Sequence, residues 1–159
     1  MTYNRDASLN VSNAAVGKNE KVLLGLMPFW DPQIPPLGMA CLKSYLNLHH
    51  FTNVKNLDAN IDPEFREIYD GYFNLLRGYI PRGRQGNIYN IGNQVLRNHL
   101  MAHLNRAGQD RYDELLQILV ERTFFTRITD SQIAELDGLI EVFYTRFESY
   151  FRDWLETEK

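Results

Sequence analysis

The stretch KVLLGLMPFWDPQIPPLGMACLKSYL, residues 21–46, decides the fold class, because three patterns follow one another in it without a break. Lys21 to Met27 is a short continuous apolar run closed by Pro28, the pattern of a strand buried on both faces, as in a parallel sheet. The chain then passes Phe29, Trp30 and Asp31 and meets Pro32, Pro35 and Pro36, which leave no room for a regular element. From Leu37 the apolar residues Leu37, Ala40, Cys41, Tyr45 and Leu48 recur at steps of three and four, and Pro35-Pro36 ahead of them suits a helix entry. That helix is expected to end near His49-His50, whose side chains suit its negative end. Within FTNVKNLDAN, residues 51–60, Val54 to Asp58 predicts a second strand. Strand, helix and strand within about 40 residues is the size of a right-handed parallel crossover.

Beyond Asn60 the pattern turns helical. Ile61-Asp62-Pro63 opens a helix with Pro in its first turn and Glu64 and Glu67 near its positive end, and Phe65, Ile68, Tyr69, Tyr72, Phe73 and Leu76 give it an apolar face. The glycines and proline of RGYIPRGRQGN interrupt it. Further helices are expected over residues 88–106, 110–123 and 130–156. The last carries Ile133, Leu136, Ile140, Phe143, Phe147, Tyr150 and Trp154 at the seam spacing of packed helices, and Thr129-Asp130-Ser131-Gln132 is a capping-box start. The expected fold class is therefore α/β and helix-dominated. An incomplete, Rossmann-like βαβ half at residues 21–61 follows a tail at 1–20, and a bundle of about four helices at 62–159 packs on it. Two parallel strands alone leave two edges and little surface to stabilise them, so helices or further chain must complete the sheet.

Composition narrows the function. With 159 residues, 44% hydrophobic and 13% aromatic, the chain can bury a core. A net charge of −3 with scattered Lys and Arg argues against a nucleic-acid partner. Cys41 is the only cysteine, which excludes an internal disulfide and any cysteine cluster from this chain. The apolar run from Val22 to Leu26 is far short of the roughly 20 residues that a bilayer crossing needs, so no membrane partner is expected. The polar start does not resemble a signal peptide. The expected location is cytoplasmic, where the Asn10-Val11-Ser12 sequon has no role.

In an open α/β sheet, ligands bind beyond the carboxyl ends of the strands, which is where Phe29, Trp30 and Asp31 fall. Leaving a large aromatic side chain in water forgoes about 1.5 to 3 kcal/mol of burial, so both rings should cover something. A flat apolar ligand and the chain's own later helices are the two candidates. Gly38 likewise has two readings, close approach of a ligand at a helix start or tight helix–strand packing.

Residues 21–46, followed by VKNLDANID at 54–62, resemble the start of the cobalamin-binding domain of cobalamin-dependent radical SAM enzymes. Pro28, Pro35, Pro36, Leu37, Gly38, Tyr45, Leu46 and Asp58 carry the resemblance, and PPLG between strand and helix is its most specific piece. The resemblance implies a Rossmann-like sheet with cobalamin as cofactor and a crevice formed by Pro28, Phe29, Trp30, Asp31, Pro36, Leu37, Gly38 and Asp58. The loop from Pro28 to Gly38 lacks histidine, so cobalamin there would take no cobalt ligand from it. The C-x-x-x-C-x-x-C motif is absent, and with it any iron–sulfur cluster or SAM site in this chain. The chain thus reads as the amino-terminal piece or a shortened relative of such a protein, not catalytic by itself. Its expected partner is the rest of a radical SAM protein or a second subunit, reached through the helix at residues 130–156. The alternative is a small helical interaction module in which the βαβ is only structural.

Other candidate sites are weaker. His99 and His103, four apart on one helix, could share a metal, but no third ligand is fixed and a surface or packing role fits better. Arg82, Gly83, Arg84 and Gly86 form a basic turn before a helix start that could hold phosphate or carboxylate, yet they match no phosphate-loop spacing and read as a solvated turn. Asp62-Glu64 and Asp113-Glu114 sit at helix starts, where their charge is already accounted for.

Overall fold

A computed structural model describes residues 21–28, 37–108 and 111–157 of the chain. Strand β1 (Val22–Leu26) leads to helix α1 (Leu37–Leu48) and strand β2 (Val54–Asp58). After a 3₁₀ turn at Ala59–Ile61 come α2 (Pro63–Tyr79), the single turn α3 (Arg82–Gln85), α4 (Ile88–Leu104), α5 (Tyr112–Phe124) and α6 (Asp130–Thr157). The fold is α/β and dominated by helices, with an incomplete parallel sheet. Among the described residues the chain divides into two compact units, 21–27 with 37–59 and 28 with 60–157. None of the described helices is long and apolar enough to cross a membrane. The expected tail at 1–20 and the loop residues Phe29, Trp30, Asp31 and Pro36 lie outside the described residues.

In the first unit β1 and β2 pair in parallel, register running from Val22 with Val54 to Leu26 with Asp58, and α1 packs on both strands. Two expectations are corrected here. Strand β1 is only half-buried at Val22, Leu23, Leu24 and Leu26, since a two-stranded sheet carrying one helix cannot enclose both faces. Helix α1 turns the opposite way from its predicted apolar face. Met39, Lys43 and Leu46 are its partly covered positions, while Leu37, Tyr45 and Leu48 are 70, 60 and 75% exposed and Leu42 is 54% exposed. Apolar residues occur all round this helix, so spacing alone could not choose the side that meets the strands.

The helical unit follows its local signals closely. Asp62 caps α2 by accepting from the backbone N–H of Glu64 (2.9 Å) and Phe65 (3.3 Å), and Pro63 occupies the first turn. The other carboxylate oxygen of Asp62 receives Arg146 of α6 at 2.8 Å, and Arg146 Nε lies 2.8 Å from Glu64 Oε2. The predicted capping box of α6 forms reciprocally: Gln132 N–H donates to Thr129 Oγ1 at 3.3 Å and Thr129 N–H to Gln132 Oε1 at 2.9 Å. The core joins Tyr72, Phe73 and Leu76 of α2, Val95 and Leu96 of α4, Leu116, Val120 and Phe124 of α5, and Ile133, Leu136 and Ile140 of α6. Gly92 lets α4 approach α2, for a Cβ there would stand 2.8 Å from Phe73 Cε1. The α6 seam is buried through Phe143, whereas Phe147, Tyr150 and Trp154 remain half-buried.

Candidate functional site

Of the predicted crevice residues, the structure describes four. Pro28 follows β1 in a bend, Asp58 ends β2 half-buried as the register partner of Leu26, and Leu37 and Gly38 open α1 exposed. A Cβ built on Gly38 meets no atom within 4 Å among the described residues, so tight helix–strand packing is not what its missing side chain serves there. His49 and His50 lie past the end of α1. His49 packs tilted against Tyr45 with ring centroids 4.3 Å apart, and His50 takes a left-handed backbone (φ 70°) that closes the helix.

The basic turn is solvent-exposed, as expected, and also structured. Residues 82–85 form α3, and Gly86 carries the positive φ of 52° that ends it. The Arg84 guanidinium donates to the carbonyl of Phe125 and, at 3.4 Å, to Thr126 Oγ1. Gln85 Nε2 donates to the Arg77 and Ile80 carbonyls at 2.9 and 2.8 Å. These side chains satisfy carbonyls at the ends of α5 and α2 that the helices leave unpaired. Arg82 lines a shallow surface depression with Arg77, Pro81 and Gln85.

The densest polar arrangement lies inside the helical unit and takes a residue from each of its four long helices. Asp137 of α6 accepts at Oδ1 from Tyr112 of α5 (2.6 Å) and from His103 Nδ1 (2.8 Å) and His99 Nε2 (3.3 Å) of α4. On the far side of His99, Nδ1 lies 2.9 Å from the hydroxyl of Tyr72 of α2. The Tyr112 hydroxyl, 3.1 Å from His99 Nε2, gives its hydrogen to Asp137, which can only accept, so His99 carries its hydrogen on Nε2 and its Nδ1 accepts from the Tyr72 hydroxyl. Arg106 lies 3.7 Å from Asp137 Oδ2 and pairs with Glu141 at 2.6 Å. Tyr144 stacks on His103 at 5.2 Å and donates to the Leu100 carbonyl at 2.7 Å.

Burial sets the protonation states. Desolvation pulls His99 down to about 4, against the smaller upward effect of Asp137. It pushes the Tyr72 hydroxyl up, helped by Tyr112 and Asp137, and it pushes up Tyr112, which also donates to Asp137. Burial alone would raise Asp137, but the hydrogen bonds from Tyr112, His103 and His99 outweigh it and hold the carboxyl below its ordinary value. The arrangement is therefore a neutral imidazole between a neutral tyrosine and a carboxylate. Among the described residues no group of three or more His, Cys, Asp or Glu side chains is arranged to hold a metal ion.

The spacing of His99 and His103 pointed to this cluster, but Tyr72, Tyr112 and Asp137 were missed. A signal for Asp137 was present: it stands four residues after Ile133 and three before Ile140, so a carboxylate falls on the apolar side of α6. Spacing marks Tyr72 only as an apolar-face residue and gives Tyr112 no role, since a phenol signals its hydroxyl partner only once the facing helix is known. Comparison with protein-family models, curated proteins and solved structures finds no match to this chain.

Proposed function

We propose that this chain supplies the front half of a cobalamin-binding crevice, as part of a protein resembling the cobalamin-dependent radical SAM enzymes, and is not catalytic alone. One observation carries the reading: β1 and β2 pair in parallel and in register through α1, with β1 opening into Pro28 and β2 closing on Asp58. In open parallel sheets, ligands bind beyond the carboxyl ends of such strands. The exposed Leu37, Leu42, Tyr45 and Leu48 of α1 support it further, because a completed Rossmann-like layer would have further chain to cover them. Phe29, Trp30, Asp31, Pro36, Leu37 and Gly38 would border the corrin, with no histidine from the 28–38 loop on cobalt.

The test is a titration of the purified chain with hydroxocobalamin followed by its visible spectrum. Saturable binding that is weakened by Trp30→Ala, with unchanged far-ultraviolet circular dichroism, is expected. A strictly linear, non-saturating response would remove the reading. The second reading, an interaction module acting through α6, draws on the half-buried Phe147, Tyr150 and Trp154 and the exposed Leu155 at its end. It predicts no cobalamin binding.

A further inference from the structure

Tyr72, His99 and Asp137 link α2, α4 and α6 through hydrogen bonds whose direction depends on His99 being neutral. Around this imidazole stand Tyr72 from α2, His103 on its own helix with Arg106 just beyond, Tyr112 from α5, and Asp137 from α6, behind which Glu141 pairs with Arg106. Asp137 and Tyr112 occupy the Nε2 side, so an additional proton must go to Nδ1. There it meets the Tyr72 oxygen and displaces the hydroxyl hydrogen that Nδ1 had accepted. The Tyr72 O–H must then turn away. Tyr72 and His99 both line a cavity of about 10 Å³ whose other lining side chains are aliphatic, including Val95, Val120 and Ile133. It is near the lower limit for one water, and apart from Tyr72 itself no lining side chain but the histidine can accept a hydrogen bond. Tyr72 and His99 are 0 and 1% exposed, so neither can recover a partner without the helices moving.

We propose that Tyr72, His99 and Asp137 form an acid-sensitive latch, in which a proton gained by His99 reverses its hydrogen bond with Tyr72 and loosens α2 from α4. The sign follows from the packing. The imidazole is held below its ordinary value in the closed unit, down to about 4, and returns to the ordinary 6.5 when the unit opens. The open form therefore takes the proton first as pH falls. The latch is fully closed above about pH 6.5, weakens as pH drops toward about 4, and changes no further below that. One proton of difference makes the opening equilibrium rise about tenfold per pH unit within this window.

Hydrogen–deuterium exchange of the α2 amides, corrected for intrinsic rates and read at pH 7, 6 and 5, measures that equilibrium. The wild-type chain should show the rise, His103→Gln should keep it, and His99→Gln, which cannot titrate, should lose it. An undiminished slope in H99Q overturns the latch, as does loss of the slope in H103Q alone. Should H99Q fail to fold, nitrogen-15 imidazole spectra of the wild-type chain decide. A hydrogen on Nε2 at pH 7 with titration well below 6.5 supports the latch, and a hydrogen on Nδ1 or an ordinary titration overturns it.

Discussion

Replacing Asp137 by Ala should be the most damaging polar substitution in the helical unit. Three donors converge on its Oδ1, from Tyr112 at 2.6 Å, His103 at 2.8 Å and His99 at 3.3 Å. A hydrogen bond to a charged group contributes roughly 1.5 to 3 kcal/mol. The third contact is long, and the Asp137 side chain keeps 21% of its exposure, so solvent screens part of each and the three do not add. Two full bonds with that discount give a loss of about 3 to 4 kcal/mol, in the range for breaking a buried charged pair. Asn should cost about half as much, because its carbonyl can still accept from Tyr112 and His103 while only the charge is lost. Urea unfolding at pH 7 by circular dichroism reads both values, with the slope against urea unchanged. A D137A variant within about 1 kcal/mol of the wild type would show that Asp137 does not hold the cluster, and an Asn variant as harmful as Ala would show that acceptor geometry is irrelevant.

Gly92→Ala should destabilise by about 1 to 2 kcal/mol despite the better helix propensity of Ala, because its Cβ would meet the fully buried Phe73 ring at 2.8 Å; a Tm equal to or above wild type would show that the ring gives way. Phe125→Gly should stabilise by about 1 kcal/mol. Phe125 closes α5 in a left-handed conformation (φ 51°) with 78% of its surface in water, so little packing is lost when the strain is relieved, and a lower urea midpoint would contradict this. Asp62→Ala removes both the cap of α2 and the ion pair with Arg146 and should cost about 2 to 3 kcal/mol, with most of it restored in Asp62→Asn if capping dominates. Double-mutant cycles with Arg146→Met separate the two contributions.

Local chemistry made most of the helical unit legible in advance. The boundaries of α2 and α6 follow from Asp62-Pro63 and from Thr129 with Gln132, whose roles depend on neighbours within one turn and so survive any tertiary arrangement. Both strands were readable for a similar reason, as compact runs closed by Pro28 and by Asp58. The orientation of α1 was not, because Met39 and Leu46 compete with Leu37, Tyr45 and Leu48 and only the strands decide between them. The short helix α3 was hidden by Gly83 within it and Gly86 at its end, and the duty of Arg84 depends on a carbonyl 41 residues away. Distance in sequence also concealed the partners of His99, since Tyr72 and Asp137 stand 27 and 38 positions from it.

The uncovered side of α1 also carries Cys41, exposed and the chain's single thiol. It falls one helical turn from both Leu37 and Tyr45. A solvatochromic dye attached there would sit at one defined location and be wet in the isolated chain. Its emission would shift to the blue whenever another surface closed over those side chains, giving the molecule a natural optical gauge of its own assembly.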